Sequence, residues 1–145
     1  MRIFVLLAIA TAFACAYDPL FLDELKEIVE NEKDKRTLDN LAKNDMIIRS
    51  EEKEKLDEIL HEQPESIQER YESKVESMKT AHQEKLNELV EKAANQEVKQ
   101  DLQQIEEVNN NLDISEKEAK MKKKELEEDA IKSQIKQLRE DLSAI

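Results

Sequence analysis

Apolar residues recur every three or four positions along most of this chain, which is the spacing of an amphipathic α-helix. In the most regular stretch apolar residues, with one histidine among them, fall at positions 67, 71, 75, 78, 82, 86, 89 and 93. Their mean spacing of about 3.7 residues is close to a straight α-helix and exceeds the 3.5 of a left-handed coiled coil. The pattern therefore predicts one long bundle helix at about 65–94 and disfavours an extended rod.

The same spacing predicts shorter helices before this segment and two more after it. We expect helices at about 20–33, around Leu38 and Leu41, from Ser50 to just before Pro64, at 96–108 and at 115–143. The polar segments 31–36 and 109–114 are expected to be a turn and a loop. The predicted fold class is all-α, a compact bundle of five or six helices with two long ones at 65–94 and 115–143.

Three serines are placed where helices should begin. Ser50 precedes two glutamates and reads as an N-cap, while Ser66–Glu69 and Ser115–Glu118 match the capping-box pattern. In the last helix the apolar face turns by more than 90° after Ala130. A break or a change of packing partner is therefore expected near Glu128–Asp129.

Not one of the 145 residues is glycine. Phosphate-binding loops and nucleophile elbows depend on glycine for positive φ angles or close backbone approach, so these enzyme classes are disfavoured. Helices must still end and turn. We expect asparagine to fill the left-handed turn positions that glycine usually takes, at Asn44, Asn95 and Asn109–Asn111.

The N-terminus has the pattern of a secretory signal peptide. Arg2 is followed by an apolar run that ends in Ala14-Cys15-Ala16, a small-x-small cleavage site, and the run is too short for a membrane anchor. Cleavage after Ala16 predicts a secreted protein without cysteine, stabilised by packing, oligomerisation or a ligand. We divide the remainder into an acidic helical segment at 17–50 and a helical domain at 51–145.

The charge of the mature chain limits its partners. Without Arg2 it carries 22 basic and 35 acidic residues, a net charge of −13, which repels nucleic acid and attracts cations or basic protein surfaces. Its two histidines are His61, expected to end a helix, and His82, on the apolar stripe of the long helix. With no cysteine left, this inventory predicts a protein that is not an enzyme.

One loop has spaced oxygen side chains that suit a calcium or magnesium ion. Asn109, Asn111 and Asp113 take positions 1, 3 and 5 of an EF-hand-like loop, and Glu118 supplies a further carboxylate nearby. In this frame Ile114 stands where glycine is expected, and Lys120 stands where a bidentate glutamate should be. These four residues are the candidate metal ligands, in a site that differs from a standard EF-hand.

Two other functions are compatible with amphipathic helices. A cavity between helices would make the protein a lipid carrier. An extended coiled-coil structural protein is the third alternative, although the spacing of about 3.7 residues disfavours it.

From Leu56 to Leu138 the chain resembles the SXP/RAL family of secreted nematode antigens. The resemblance is carried by His61–Glu65 leading into Ser66–Tyr71, by Ala81-His82, by Ala94–Lys99 leading into Leu102–Ile105, and by Asn109–Ser115. These motifs are patterns of helix ends, and the proline that this family commonly has near position 130 is absent.

The resemblance implies a secreted, all-helical, non-catalytic antigen that binds a divalent cation or a host protein. A second resemblance is to the nematode fatty-acid- and retinol-binding proteins, whose lysine- and glutamate-rich helix is similar to Ser50–Leu60. It implies a lipid ligand instead. Both resemblances agree on an extracellular helical protein and differ on what it binds.

Overall fold

The computed structural model describes residues 18–93 and 96–143, and the side chains of these residues except 134 and 137–143. The predicted signal peptide and Asn95 lie outside this range. Inside it the chain forms six α-helices and one isolated β-bridge. The prediction of an all-α bundle of five or six helices is therefore confirmed.

The helices are α1 (Leu22–Ile28), α2 (Glu32–Lys43), α3 (Arg49–His61), α4 (Glu65–Lys92), α5 (Gln96–Asn110) and α6 (Glu116–Ser143). The long helices α4 and α6 have 28 residues each and match the two long helices expected. As predicted, α3 ends before Pro64. No helix in the described ranges is both long and apolar enough to cross a membrane.

The N-terminal segment is divided differently from the sequence prediction. The helix expected at 20–33 ends at Ile28, because Val29 adopts an extended conformation with ψ 144°. The turn expected at 31–36 is instead the start of α2, since the Asn31 side chain accepts a hydrogen bond from the backbone N–H of Lys33 at 2.8 Å. Asn31 is thus an N-cap that the sequence pattern did not reveal.

Of the two predicted capping boxes, one forms. At Ser115–Glu118 the Ser115 N–H donates to the Glu118 carboxylate at 3.3 Å, and the Glu118 N–H donates to Ser115 Oγ at 3.2 Å. The box at Ser66–Glu69 is absent, because α4 begins at Glu65 with Pro64 at the N-cap and no side-chain cap bond. Pro64 fixes the entry into the helix by its own φ angle.

The expected break near Glu128–Asp129 is absent, because α6 is continuous from Glu116 to Ser143. Ala130 is fully buried, while Ile131 and Ile135 are 42% and 41% exposed. The change of apolar face therefore leaves the helix backbone unchanged. It marks a second stripe of residues outside the core.

The prediction that asparagines take left-handed conformations is also wrong within the described ranges. Asn109 and Asn110 belong to α5, and Asn44 has φ −99° with its N–H bonded to the Leu41 carbonyl at 3.0 Å. Among described residues only Phe21 has positive φ, at 56°. This conformation costs about 1–2 kcal/mol in a residue with a Cβ atom, and burial of the Phe21 ring offsets it.

Most buried side chains belong to one cluster, here called the principal core. It gathers the N-terminal segment, α1, α2, the middle of α3 and the first turns of α4, so residues on both sides of position 50 share it. Its members are Leu20, Phe21, Leu22, Leu25, Ile28, Val29, Leu38, Leu41, Leu56, Ile67 and Tyr71. The Tyr71 hydroxyl donates to the Leu20 carbonyl at 2.9 Å, which fixes the N-terminal segment against α4.

A second cluster, the minor core, lies where the end of α4 meets α5. Its buried members are Val98 and Leu102, with Leu89, Val90 and Ala93 partly buried beside them. A second contact also joins α4 to α5: His82 Nε2 of α4 lies 2.8 Å from Glu106 Oε2 of α5. His82 therefore packs against a carboxylate on the neighbouring helix.

Candidate functional site

Two interhelical loops lie side by side, and the buried polar residues of the molecule gather where they meet. The α2–α3 loop and the α5–α6 loop are joined by an antiparallel bridge between Ile48 and Ser115. The N–H groups of Arg49 and Ser50 donate to the carbonyls of Ile114 and Leu112 at 3.1 and 2.8 Å. Two helix–loop–helix units are thereby joined loop to loop.

These interloop bonds explain why Ser50 is not the cap predicted. The first N–H groups of a helix lack partners inside the helix and need an external acceptor. At the start of α3 the backbone carbonyls of the α5–α6 loop supply it, so α3 begins at Arg49 with Ile48 at the N-cap and no side-chain cap bond. The cap comes from a segment more than 60 residues away in sequence, and local patterns do not encode it.

Arg49 is the most buried charged residue described, at 1% exposure. Its Nη1 donates to the carbonyls of Val108, Asn109 and Asn111 at 2.9, 3.1 and 3.3 Å. Its Nη2 and Nε donate to Glu116 Oε2 at 2.5 and 3.1 Å. The guanidinium thus caps the C-terminus of α5, where carbonyls lack partners and the helix dipole is negative.

Arg49 was missed by sequence reasoning, although a signal existed. A basic residue in the first turn of a helix opposes the positive end of the helix dipole. Arg49 stands there, directly after the apolar cluster Met46–Ile48. A charge in an electrostatically wrong position is a reason to expect a tertiary partner.

Glu52 lies one turn after Arg49 and is also buried, at 4% exposure. The pKa of this carboxyl is raised to about 7, first by burial and then by the nearby carboxylates of Asp18 and Glu116. The positive charges of Arg49 and Lys55 oppose this rise only in part. Glu52 is therefore partly protonated near neutral pH. The place where the α2–α3 and α5–α6 loops meet, here called the loop junction, thus holds the titratable carboxyl of Glu52 beside the permanent positive charge of Arg49.

The four candidate ligands lie in the last turn of α5, in the α5–α6 loop and in the first turn of α6, and their environments differ. Asn109 is 6% exposed, and its Oδ1 atom is buried with no hydrogen-bond partner among the described residues. Asn111 Oδ1 accepts from the N–H of Asp113 at 2.8 Å, and Asp113 is exposed. Glu118 is engaged in the capping box with Ser115. Only Asn109 has an oxygen buried without a hydrogen-bond donor.

The neighbouring Glu106 receives hydrogen bonds from three side chains. Burial raises its pKa, but donors from His82 at 2.8 Å, Asn110 at 2.8 Å and Asn109 at 3.5 Å outweigh burial, so the pKa lies below its ordinary value. Asn109 thus directs its Nδ2 to Glu106 and leaves Oδ1 for another partner. An unpaired buried amide oxygen costs about 1–3 kcal/mol unless a water or an ion binds it.

The candidate ligands have the oxygen atoms that a hard cation requires, but only two of the four carry a negative charge. Carboxylate and amide oxygens are the ligands that calcium and magnesium prefer. No group of three or more His, Cys, Asp or Glu side chains converges on one point within the described ranges. Since Arg49 already occupies the carbonyls of Val108, Asn109 and Asn111, a cation here has to be held mainly by side-chain oxygens.

An apolar cleft lies at the edge of the principal core. It encloses about 300 Å³, between walls that include Leu56, Tyr71, Val75 and Leu112, with Lys53 and Lys79 also lining it. The Lys79 ammonium lies 5.8 Å from the centre of the Phe21 ring. This volume is at the lower end of the range for small-molecule sites.

A wider groove of about 850 Å³ lies between α5 and α6 and is polar. Its lining includes Gln103, Glu107, Lys122, Glu125 and Asp129. It is continuous with the loop through Asn111, which also lines it. Solvent therefore reaches the loop through a groove lined mainly by acidic and amide side chains.

Comparison with known proteins gives no relative from which a function can be transferred. No family model matches the chain, and no curated protein and no solved structure matches it either. The resemblance to the SXP/RAL family thus stays a prediction from the residues quoted above. What this chain binds has to be argued from its own geometry.

Proposed function

We propose that this protein is a secreted, non-catalytic binding protein of the SXP/RAL type, and that its α5–α6 loop binds a divalent cation, calcium or magnesium. The observation that carries the proposal is Asn109 Oδ1, an acceptor buried without a donor in the last turn of α5, next to a loop with further oxygen side chains. Asn111, Asp113 and Glu118 are the further ligands. A cation would satisfy the Asn109 oxygen and relieve the cost of its burial.

The affinity is expected to be modest because few negative charges are available. Asp113 and Glu118 are the two carboxylates of the proposed ligand set, and Arg49 lies among the loop carbonyls as a permanent positive charge. Cation affinity in such loops rises with the number of charged ligands. Dissociation constants of about 10⁻⁴–10⁻³ M, typical of extracellular modules, are therefore expected.

Calorimetric titration of calcium and magnesium into the purified protein tests the proposal. The double variant Asp113→Asn, Glu118→Gln removes two charges, and glutamine at the third helical position preserves a capping box. We expect its affinity to fall at least about tenfold, since charged ligands are replaced by neutral ones. A control, Glu69→Gln with Glu72→Gln, removes two exposed charges from α4 and should bind as the wild type does.

A second variant separates binding from loop folding. Asn109→Leu has nearly the same shape and lacks the unpaired oxygen, but it also loses the 3.5 Å bond to Glu106, which keeps its bonds to His82 and Asn110. Without cation it should therefore be about as stable as the wild type. We expect it to lose binding while its circular dichroism spectrum is unchanged. Undiminished binding in both variants refutes the assignment of the site.

A lipid is the second candidate ligand, and the apolar cleft is the observation that favours it. A cleft of about 300 Å³ with lysines in its lining suits a short acyl chain with an anionic head group. Displacement of a fluorescent fatty acid should be lost in Val75→Phe, which fills the cleft, and kept in Val90→Phe at the minor core. Failure of the wild type to bind the probe excludes this alternative.

A further inference from the structure

The last helix has two apolar stripes, and among the side chains that the structure describes only those of the first are packed within the molecule. The first faces α5: Ala119 and Ala130 are fully buried, Leu126 is half-buried, and Ser133 Oγ donates to Glu97 of α5 at 2.5 Å. The second stripe begins with Ile131 and Ile135, which are 42% and 41% exposed. Two β-branched apolar residues one turn apart are thus left in solvent on the same helix face.

The sequence continues this second stripe at regular spacing. Ile131, Ile135, Leu138 and Leu142 follow one another at intervals of four, three and four residues. Steps of four and three residues alternate here as the a and d positions of a coiled-coil seam do, with Ile135 and Leu142 at a positions and Ile131 and Leu138 at d positions. In the α4 pattern two steps of four residues follow each other, from 67 to 75 and from 78 to 86, which an alternation of a and d positions does not allow.

We propose that this stripe, here called the α6 seam, binds a second copy of this chain as a short parallel two-helix coiled coil. Each knob of such a seam fits a hole formed by four residues of the facing helix, and a second copy of α6 supplies the same a and d residues in the same order. The flanking charges support like-with-like pairing. Glu127 stands at a g position and Lys132 at the following e position, so unlike charges meet across a parallel pair.

The same charges disfavour the antiparallel arrangement. In that orientation e positions meet e positions and g positions meet g positions, which brings Lys132 toward Arg139 and Glu127 toward Asp141. Like charges at these positions oppose pairing. Lys132 pairs with Asp129 at 2.9 Å within one copy of the chain, but both side chains are exposed, so this pair contributes little to stability. Exchanging it for a contact with a second copy therefore costs little.

The seam is short, and this sets the kind of association expected. Lys124 and Glu128 occupy the d and a positions before Ile131 and end the seam on that side. The protein also carries a formal net charge of −12, so two copies repel each other over a distance that salt shortens. We expect a dimer that forms at high protein concentration, dissociates on dilution and is favoured by moderate salt.

Sedimentation equilibrium over a range of protein concentrations tests the proposal, with protein from a secreting host so that any signal peptide is removed. Wild type should shift from monomer to dimer mass, and Ile131→Lys and Ile135→Lys should stay monomeric. Both residues are exposed, so circular dichroism should show folded variants. Met78→Lys, an equally simple change at a residue 38% exposed on α4, should dimerise as wild type does.

Charge exchange tests the orientation. Glu127→Lys and Lys132→Glu should each weaken dimerisation, and the double exchange should restore it, because the unlike pair is re-formed with reversed signs. A wild type that remains monomeric at every concentration overturns the proposal and leaves the seam to a different partner. Equal loss of dimer in Met78→Lys, or no rescue in the double exchange, overturns the assigned seam or its parallel orientation.

Discussion

The two halves of α4 share one helical pattern and have opposite environments. In the first half Ile67 and Tyr71 are 8% and 7% exposed and belong to the principal core, whereas farther along Met78 is 38% exposed and Leu86 only half-buried. The first half is covered by the N-terminal segment, α1 and α3, while the end of α4 meets only the smaller cluster with α5. Apolar spacing therefore determines which face of a helix can be buried, and the number of helices that converge decides whether it is.

The loop junction connects these two environments. Arg49 begins α3, a helix of the principal core, and its guanidinium binds the carbonyl end of α5 and the first residue of α6. Without this contact, α5 and α6 would be held to the rest mainly by the minor core and the interloop backbone bonds. The strongest test of the comparison is thus to remove Arg49.

We expect Arg49→Ala to have the largest effect, lowering the free energy of unfolding by about 3–5 kcal/mol. The variant leaves Glu116 and three loop carbonyls partly buried without their donor, which is the costly way to break a buried ion pair. Urea unfolding followed by circular dichroism measures the loss. Arg70→Ala, an exposed arginine on α4, should change stability by no more than about 0.5 kcal/mol. A cost below about 1 kcal/mol at Arg49 would contradict a central role for the junction.

The next largest effect compares one substitution in the two environments. Leu38→Ala removes a fully buried side chain from the principal core and should cost about 3 kcal/mol through lost burial and the cavity left behind. Leu86→Ala makes the same change at a half-buried position and should cost less than about 1 kcal/mol, because the site is open to water. Equal losses in thermal or urea unfolding would show that the two regions are packed alike.

The third effect, which reaches its full size only above pH 7, is the pH dependence introduced by Glu52. Its pKa is raised from the ordinary 4.5 to about 7, so the folded protein holds a proton that the unfolded chain releases. Stability from this group is present below pH 4.5 and is lost as pH rises to about 7. Glu52→Gln mimics the protonated form and should be more stable than wild type by about 3 kcal/mol at pH 8, with little difference at pH 4.5.

Unfolding curves for both proteins across this pH range measure the difference directly. Glu106 does not confuse the result, because its lowered pKa affects stability only as pH falls below the ordinary glutamate range. Tyr71, whose pKa is raised by burial, titrates far above the range. A constant difference between wild type and Glu52→Gln from pH 4.5 to 8 would mean that Glu52 is not the titrating group.

Much of the fold was predictable because helix formation is local. The long helices, the end of α3 before Pro64 and the capping box at Ser115–Glu118 all follow from spacing and short motifs. The failures at Ser50 and at the left-handed positions occurred where contacts with distant segments outweighed a local signal. Ser50 is not a cap because the Leu112 carbonyl accepts from its N–H. Among the described residues the left-handed position is taken by Phe21, which the core holds, and by no asparagine.

The candidate site divides in the same way. The oxygen-rich character of the α5–α6 loop is visible in its sequence, as are Asn109, Asn111, Asp113 and Glu118. The position of Arg49 among the loop carbonyls and the buried, unpaired oxygen of Asn109 depend on two loops meeting. These facts decide which oxygens are free to bind a cation.

The sequence by itself determined that this chain is helical, where its longest helices lie and that its charge is strongly negative, because these properties depend on neighbours within a few residues. The tertiary structure alone decided which apolar stripes are buried, which helix ends are capped by other segments, and that Arg49 is a buried cation at the junction. Burial and long-range pairing depend on how many helices and loops meet at one place. The residues that meet there are far apart in sequence, so the spacing of residues along the chain does not reveal their contacts.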